Sequence, residues 1–320
     1  MSEQARERLQ ARIETLASRV SAQRRIRYIG LTANSADIAF VSRDVTGRST
    51  KQMILPDTRR FYDALSNSHQ LQWVNIHSAG MDRDIYQELA KRGVSVTTSP
   101  GNNAKIVAQT ALAGLLALAR RLPYLGRAQR GHDWAPLHEA LTPRDLARQT
   151  AVIIGWGEIG KQLAEYLAML ELNIIIVRNQ PHVPAGRFET VSLEQLNSTL
   201  PRADWLIIAC PLTSKTQNLI NDASLRLLPK SAYLINIARG LIVDEGALLR
   251  ALEREELTGA FLDVFEHEPL PPSSPLWDLP NVIVTPHSAG FSDGNEARVD
   301  ELFLSRLEQW LIRSGCSRST

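Results

Sequence analysis

Cysteine is scarce in this chain of 320 residues, which contains Cys210 and Cys316 and no others. Two cysteines cannot form the disulfide framework that staples small secreted proteins, and this usage suits a reducing cytoplasm, where we expect the protein to reside. No apolar run approaches the roughly 20 residues that span a bilayer, so no membrane helix is predicted. The formal net charge is only +2, which gives no argument for a nucleic-acid partner.

Metal-ligand spacing is also missing from the sequence. His267 stands between Glu266 and Glu268, but this trio is better explained as an exposed turn, so we predict no metal site. Cys210 ends an apolar run and is expected to be a small buried hydrophobe. What is present is ordinary, with 44% apolar and 22% charged residues in a chain long enough for two domains.

Short apolar runs alternate with helical segments along most of the chain. Between residues 26 and 100 the runs are IRYIGL, ADIAFVS, LQWVNIH and VSVTTS, with helical candidates FYDALSN and DIYQELAKR between them. From 149 to 285 the same rhythm continues in LNIIIV, DWLIIA, AYLINI, GAFLDV and NVIVTP. This alternation is typical of parallel sheets with crossover helices. The sequence therefore predicts an α/β protein with two open parallel-sheet domains.

Three longer helices are predicted as well. Residues 104–121 are apolar on most sides, which indicates a buried helix, and residues 294–312 form the final helix. Residues 2–23 form an amphipathic helix, and their glutamates argue against a mitochondrial presequence. We expect this first helix to pack on the smaller domain or on a partner subunit. Its apolar stripe consists of Leu9, Ile13, Leu16 and Val20.

A glycine-rich turn follows the apolar run TAVII, and a helical pattern follows the turn. The turn reads Gly155-Trp156-Gly157-Glu158-Ile159-Gly160. In such a strand-to-helix turn, Gly155 permits the tight bend, Gly157 lets the backbone approach a pyrophosphate, and Gly160 lets the helix pack on the strand. The helix N-terminus then offers N–H groups to the phosphates. The context favours a dinucleotide site over a structural turn.

Three short stretches downstream of that turn supply an arginine, a carboxylate and a histidine. Arg239 lies in IARG, Glu268 in DVFEHEP and His287 in TPH. An arginine can bind a carboxylate through two parallel hydrogen bonds, and a histidine can give or take a proton near neutral pH. Glu268 can orient that imidazole and stabilise its charged form. These are the groups needed to hold a 2-keto acid and move a proton on its oxygen.

With these stretches, the sequence closely resembles the D-isomer-specific 2-hydroxyacid dehydrogenase family, which includes glyoxylate/hydroxypyruvate reductases. The resemblance runs from roughly residue 70 to residue 290 in order and spacing. It is carried by HSAGMD at 77–82, SPGNNAKIVAQ at 99–109, GWGEIG at 155–160, CPLT at 210–213, NIARGLIVDEGAL at 236–248, DVFEHEPL at 263–270 and PLWDLPNVIVTPH at 275–287.

The resemblance implies an architecture and a set of site residues. Residues 1–102 and 291–320 would form a discontinuous flavodoxin-like substrate domain, and residues 103–290 a Rossmann-type cofactor domain. Arg239 would bind the substrate carboxylate, and His287 would be the acid/base with Glu268 as its partner. Further substrate contacts are implied at Ser78, Ala79, Gly80 and Asn103. Further cofactor contacts are implied at Cys210, Pro211, Thr216, Ala238 and Asp263, the last holding the nicotinamide carboxamide.

Two positions depart from the family pattern. Gln109 stands where the family commonly has a glutamate, which removes any charge pairing made there. Arg178 lies eighteen residues past Gly160, where NAD-preferring sequences carry an acid on the adenosine ribose. Because an arginine can pair with a 2′-phosphate, we predict that NADP(H) is preferred and that NAD(H) remains possible.

The predicted activity is interconversion of a small 2-keto acid and a D-2-hydroxy acid by a homodimer. A nucleotide-sensing co-repressor on the same fold is an alternative, because fold does not determine function. Phosphite oxidation on the same scaffold also stays open. Formate oxidation is disfavoured, because the formate enzymes of this superfamily carry glutamine where this chain has Glu268.

Overall fold

A computed structural model describes two compact units in this chain. One unit comprises Met1–Asn102 and Ser292–Thr320, and the other comprises Asn103–Phe291. Phe291, which we expected at the start of the returning segment, therefore belongs to the second unit. The described residues are 1–20, 26–29, 35–50, 52–180 and 185–316, with side chains up to 314.

Helices and strands alternate along the described chain. The helices are α1 Glu3–Val20, α2 Arg43–Thr46, α3 Pro56–Asn67, α4 Asp84–Lys91, α5 Ala104–Ala119, α6 Leu122–Arg130, α7 Glu158–Met169, α8 Leu196–Thr199, α9 Asp222–Leu225, α10 Glu245–Glu253 and α11 Asn295–Cys316. The strands are β1 Ile38–Val41, β2 Trp73–Ile76, β3 Ser95–Thr97, β4 Thr150–Ile154, β5 Asn173–Arg178, β6 Glu189–Ser192, β7 Trp205–Ile208, β8 Tyr233–Asn236, β9 Gly259–Leu262 and β10 Val282–Val284. No helix in these described parts is long and apolar enough to cross a membrane.

The first unit contains a parallel sheet in the order β1-β2-β3, as far as its described residues show. Helices α1 and α11 pack together over one face of this sheet. Phe303 of α11 stacks on Phe40 with ring centroids 4.3 Å apart, and on Trp73 at 5.8 Å. Aromatic stacking on a buried sheet face adds to the gain from apolar burial.

Helix α1 corresponds to the amphipathic helix predicted at 2–23, of which residues 21–23 lie outside the described residues. Its Leu9, Ile13 and Leu16 are buried in the cluster that contains Phe303. Ion pairs join the polar edges of α1 and α11, and their order along both helices shows that the two helices run parallel. They are Arg8–Asp300, Arg12–Glu301 and Arg19–Glu308.

The strand predicted at IRYIGL is wrong for residues 26–29, which form no strand; residues 30 and 31 lie outside the described residues. Ile26 and Tyr28 instead pack against the α1–α11 cluster, and the guanidinium of Arg6 lies 5.0 Å from the Tyr28 ring centroid. The alternating apolar side chains of this segment therefore cover helices rather than one face of a sheet.

The second unit contains a parallel sheet whose described strands follow the order β10-β9-β8-β7-β4-β5-β6. Strand β4 lies between β5 and β7, so the order of strands reverses there. Ligands of open α/β sheets bind outside the carboxyl ends of the strands at such a reversal. The Rossmann-type domain predicted from the sequence is confirmed, and its glycine-rich turn follows β4.

Helix α5 is the long apolar helix predicted at 104–121. It packs against α7 and over β9. Gly114 lies against the ring of Phe261 so closely that a Cβ at 114 would overlap the ring. Ala111, Leu115 and Leu118 are buried on the same side, so most of the apolar surface of α5 is used within the second unit.

Candidate active site

The turn after β4 is shaped by Gly155, which has a positive φ of +114°. A Cβ at this position would lie 2.6 Å from the carbonyl oxygen of Ala209 and 2.8 Å from the backbone nitrogen of Cys210. Glycine is therefore required twice, for its conformation and for the close approach of the segment after β7.

The two other glycines of the turn have different surroundings. A Cβ at Gly160 would collide with the carbonyl oxygen of Gly155, so Gly160 lets α7 pack on the turn. A Cβ at Gly157 would meet no atom within 4 Å. Because Gly157 is the N-cap of α7, the first N–H groups of the helix border open space. This geometry fits a dinucleotide pyrophosphate, which would lie against the backbone and the positive end of the helix dipole.

The side chains within the turn have other partners. Trp156 makes an edge-to-face contact with Phe188, with ring centroids 6.0 Å apart. Glu158 is exposed and pairs with Lys161 at 2.8 Å, while Ile159 is partly buried against the core.

Arg178 ends β5 at the same edge of the sheet. Strand β5 pairs with β4 so that Val177 is opposite Ile154, and the Gly155 N–H donates to the Val177 carbonyl over 2.9 Å. Arg178 is the next residue and is partly buried. Arg178 thus follows directly the residue whose carbonyl binds Gly155. This end of β5 is where the adenosine ribose of a dinucleotide is expected.

The segment after β7 contributes a buried thiol and a tight turn. Burial raises the pKa of Cys210 to about 11, so the thiol is neutral at physiological pH. Thr216 is buried, and its hydroxyl donates to the Pro211 carbonyl over 2.8 Å and accepts from the Thr213 N–H over 2.7 Å. Cys210 is part of the core, as predicted, and Thr216 fixes the turn that begins at the exposed Pro211.

Arg239 follows β8 in a turn shaped by a buried asparagine. The side-chain oxygen of Asn236 accepts from the Ala238 N–H over 3.1 Å, and its side-chain nitrogen donates to the Arg239 carbonyl over 3.0 Å. Ala238 is buried, and its carbonyl accepts from the Arg239 guanidinium over 2.6 Å. Asn236 therefore sets the direction in which Arg239 leaves the sheet.

Asp263 follows β9 and holds the segment that carries the histidine. Its carboxylate accepts from the Thr285 hydroxyl over 2.7 Å, the Ser288 N–H over 2.8 Å and the Ala289 N–H over 3.0 Å. Burial raises the pKa of Asp263, and these hydrogen bonds oppose that rise. The structure thus shows that this carboxylate anchors the segment 285–289; the family resemblance implies a nicotinamide contact for it as well.

His287 and Glu268 form a hydrogen-bonded pair. His287 Nδ1 lies 2.7 Å from Glu268 Oε2, and Glu268 Oε1 accepts from the Phe265 N–H over 3.2 Å. The His287 backbone adopts a positive φ of +50°, which is uncommon for a residue other than glycine, and its N–H donates to the Asp263 carbonyl over 2.8 Å. The imidazole is half exposed while Glu268 is mostly buried. Because Nδ1 is bound to Glu268, Nε2 points away and is the nitrogen available to a substrate.

Comparison with known proteins places this site in a family. The family model described as D-isomer specific 2-hydroxyacid dehydrogenase, NAD binding domain, matches residues 112–289. The chain is 34% identical to the glyoxylate reductase of Thermofilum pendens over 245 residues, which cover 75% of this chain and 72% of that protein. This chain belongs to the D-isomer-specific 2-hydroxyacid dehydrogenase family. The predicted family, and the prediction of an NAD(P)-dependent enzyme, are therefore confirmed.

The chain is also similar to two glyoxylate/hydroxypyruvate reductases. The glyoxylate/hydroxypyruvate reductase B of Pectobacterium carotovorum is 33% identical over 265 residues, which cover 82% of each chain. The structure of an NADPH-dependent glyoxylate/hydroxypyruvate reductase from Sinorhizobium meliloti, in complex with NADP and malonate, matches with a TM-score of 0.70 and 27% identity. That match covers 85% of this chain and 92% of the other.

The remaining predicted residues lie at the start of α5 and in the first unit. Asn103 is the N-cap of α5, and its side chain lies directly against Gly290. Ser78, Ala79 and Gly80 follow β2 in the first unit, where the Ser78 hydroxyl donates to the Gly80 carbonyl over 2.9 Å. Ala79 is exposed. Residues 78–80 thus lie just after a strand and Asn103 lies at the beginning of a helix. Backbone N–H groups at the beginning of a helix have no partner within the helix.

Sequence reasoning missed residues that support the site without being its reacting groups. Asn236, Thr285 and Phe265 orient Arg239, Asp263 and Glu268 through hydrogen bonds. The signal for Asn236 was its place at the end of a buried strand directly before IARG, since a buried asparagine needs hydrogen-bond partners. Within the described residues, no group of three His, Cys, Asp or Glu side chains could hold a metal ion.

Proposed function

We propose that this protein reduces a small 2-keto acid, of the glyoxylate or hydroxypyruvate class, to a D-2-hydroxy acid and prefers NADPH to NADH. The observation that carries this proposal is the 2.7 Å pair of His287 and Glu268 in the domain that bears the dinucleotide turn. The names of the glyoxylate and hydroxypyruvate reductases to which the chain is similar support the substrate class.

The proton chemistry follows from the pair. A nicotinamide cofactor supplies the hydride when it is bound. Protonated His287 donates from Nε2 to the carbonyl oxygen of the keto acid, and Glu268 stabilises the imidazolium through Nδ1. General acid catalysis of this kind contributes about 10²–10⁴-fold in rate. In the reverse direction neutral His287 accepts the proton.

Arg239 binds the substrate carboxylate in this proposal. Its planar guanidinium can present two parallel donors, which fix both the position and the orientation of the keto acid. The Asn236 bonds hold the backbone of the turn from which Arg239 projects, and the Ala238 carbonyl accepts from the guanidinium. Preorganised donors stabilise developing charge at little cost in reorganisation.

The first unit is assigned to the substrate and the second to the cofactor. Backbone groups of Ser78, Ala79 and Gly80 would contact the substrate carboxylate, and Asn103 would line the substrate cleft. Arg178 would pair with the 2′-phosphate of NADP, since residues 177–180 contain no acid that would bind the ribose hydroxyls of NAD.

We also propose that two copies associate as a two-fold dimer built mainly on the second unit. Helix α6 has no buried residue, Leu122 is 52% exposed, and Trp134 is 94% exposed. Contact with a second copy would remove these apolar side chains from water. Light scattering at micromolar concentration should give twice the chain mass of 35.6 kDa, and a mass that stays at one chain would contradict the dimer.

The activity is tested by initial rates on a panel of keto acids. Glyoxylate, hydroxypyruvate, pyruvate, phenylpyruvate and 2-ketoisocaproate should each be measured with NADPH and with NADH. We expect the highest kcat/KM for glyoxylate or hydroxypyruvate, and a D-configured product where the product is chiral. Absence of turnover on the whole panel would reject the proposal.

A further inference from the structure

Helix α11 holds the segment after β3 at both of its ends. Arg306 donates to the Thr98 carbonyl over 2.6 Å and to the Asn75 side-chain oxygen over 2.8 Å. Arg298 donates from Nε to the Asn102 carbonyl over 2.6 Å. Guanidinium hydrogen bonds of this kind are among the stronger ones in proteins. Residues 98–102 are therefore fixed from outside by one helix.

Arg298 also binds the returning chain. A second nitrogen of its guanidinium, Nη2, donates to the Ser292 hydroxyl over 3.2 Å and to the side-chain oxygen of Asn295. Asn102 is the last residue before the chain leaves the first unit, and Ser292 is the first residue after it returns. The chain passes between its units at residues 102–103 and again at residues 291–292, and we call these two places the crossings. The Arg298 side chain thus binds one residue of each crossing.

The two crossings also touch on the side of the second unit. The Asn103 side chain lies so close to Gly290 that a Cβ at 290 would collide with its amide. Among the described residues, the side-chain nitrogen of Asn102 is buried with no hydrogen-bond partner. The Asn102 side-chain amide therefore does not help to hold Asn102 in place. The bond from Arg298 to the Asn102 carbonyl matters more for that reason.

We propose that Arg298 is a clasp that keeps the two crossings side by side, and that it is thereby a positioning residue for the reaction. Asn103 follows the clasped carbonyl directly, and α5 begins at the next residue. The Thr110 hydroxyl of α5 donates to the Ala289 carbonyl over 2.9 Å. In the proposed role, the clasp holds the residue that precedes Asn103, and α5 in turn is bonded to the segment that carries His287. This role in catalysis rests on the proposed function, but the clasp itself does not.

Arg298→Gln and Arg298→Lys test the clasp, with Arg12→Gln as the matched control. Arg12 also pairs with a residue of α11 in the same unit, but both partners are exposed. The readout is hydrogen exchange of backbone amides in peptides covering 98–104 and 288–296. We expect Arg298→Gln to raise exchange in both peptides and Arg12→Gln in neither. Lysine should restore part of the protection, because an ammonium can bind one crossing but cannot span both.

Other exchange patterns overturn the clasp. A rise confined to 288–296 would make Arg298 an ordinary stabiliser of the start of α11. No rise in either peptide would mean that the crossings do not depend on it. If Arg298→Gln does not fold, Arg298→Lys gives the same decision from a smaller change in exchange.

Kinetics then test the positioning role. Arg298→Gln should lower kcat/KM for the best keto acid by about tenfold or more, since small misplacements of reacting groups are costly. Its Kd for NADPH should stay within about twofold, because the dinucleotide turn belongs to the second unit. Unchanged kcat/KM with raised exchange in both peptides would reject the positioning role. A parent protein without turnover but with the expected exchange pattern would reject the proposed function and leave the clasp intact.

Discussion

The α-carbon of Gly240 lies against the carbonyl group of Phe265, and no side chain fits between them. Gly240 follows Arg239 directly, and the Phe265 N–H donates to Glu268. This contact therefore joins the turn that carries the arginine to the loop that carries the carboxylate. The glycine of IARG is required by close backbone approach, since its φ is not positive.

Gly240→Ala should lower both stability and activity. The added methyl must displace the backbone of Phe265, and overpacking of this kind typically costs about 1–3 kcal/mol. We expect a lower midpoint in urea and a lower kcat with the best keto acid. Gly126→Ala is the control, because a Cβ at 126 in α6 would meet no atom closer than 4.0 Å. Equal behaviour of the two variants would show that the contact at Gly240 is unimportant.

Arg239→Lys should reduce kcat/KM by about a hundredfold, because an ammonium cannot reproduce the planar fork that holds a carboxylate. The Kd for NADPH, followed by fluorescence, should change little. Arg202→Lys makes the same exchange at an exposed arginine that binds both oxygens of Glu189, and it should keep parent activity. Arg239→Lys with parent kcat/KM would remove Arg239 from the substrate site.

Arg178→Asp should reverse the cofactor preference. The carboxylate would repel the 2′-phosphate of NADP and could bind the ribose hydroxyls of NAD. In the parent we expect NADPH to exceed NADH by roughly tenfold in kcat/KM, which corresponds to about 1.4 kcal/mol. Arg148→Asp places the same charge change before the amino end of β4, at the opposite edge of the sheet, and should leave the ratio unaltered. Equal kinetics with both cofactors in the parent, unchanged by Arg178→Asp, would refute this role.

The sequence predicted most of the cofactor domain because local rules determine it. The apolar runs form strands, which are largely buried except for the partly buried β10, and the glycine turn after β4 has the geometry that its spacing indicated. The strand expected at IRYIGL was wrong for residues 26–29, because alternation cannot distinguish a strand face from a segment that covers helices. The anchoring of the 285–289 segment by Asp263 could not be predicted, since it depends on long-range hydrogen bonds between segments more than twenty residues apart.

His77 should make stability fall in mild acid. Burial, reinforced by the positive charges of Arg43 and Arg83 and opposed by Asp44, lowers the pKa of His77 from its ordinary 6.5 to about 4. Between these values the unfolded chain binds a proton that the folded chain does not, so the free energy of unfolding decreases as the pH falls from 6.5 towards 4. His77→Gln removes the titrating group and can still bond to the Thr46 hydroxyl, which lies 2.8 Å from the ring.

The free energy of unfolding, measured in urea at pH 6.5 and at pH 5.2, checks this expectation. Both pH values lie above the range in which most carboxylates titrate. The parent should lose more stability between the two pH values than His77→Gln does. Identical pH dependence of the two proteins would show that His77 is protonated in the folded state as readily as in the unfolded chain.

The most direct test of the proposed reaction is the single-turnover oxidation of bound NADPH by glyoxylate or hydroxypyruvate, compared between the parent and His287→Ala. The imidazole acts mainly in the transition state, so its removal should abolish most of the hydride transfer while the Kd for NADPH stays nearly the same. Rapid oxidation in the parent and loss of about 10² or more in the variant is the result that we predict. Equal rates in the two proteins, or no oxidation in the parent with either keto acid, would contradict the assignment of this site.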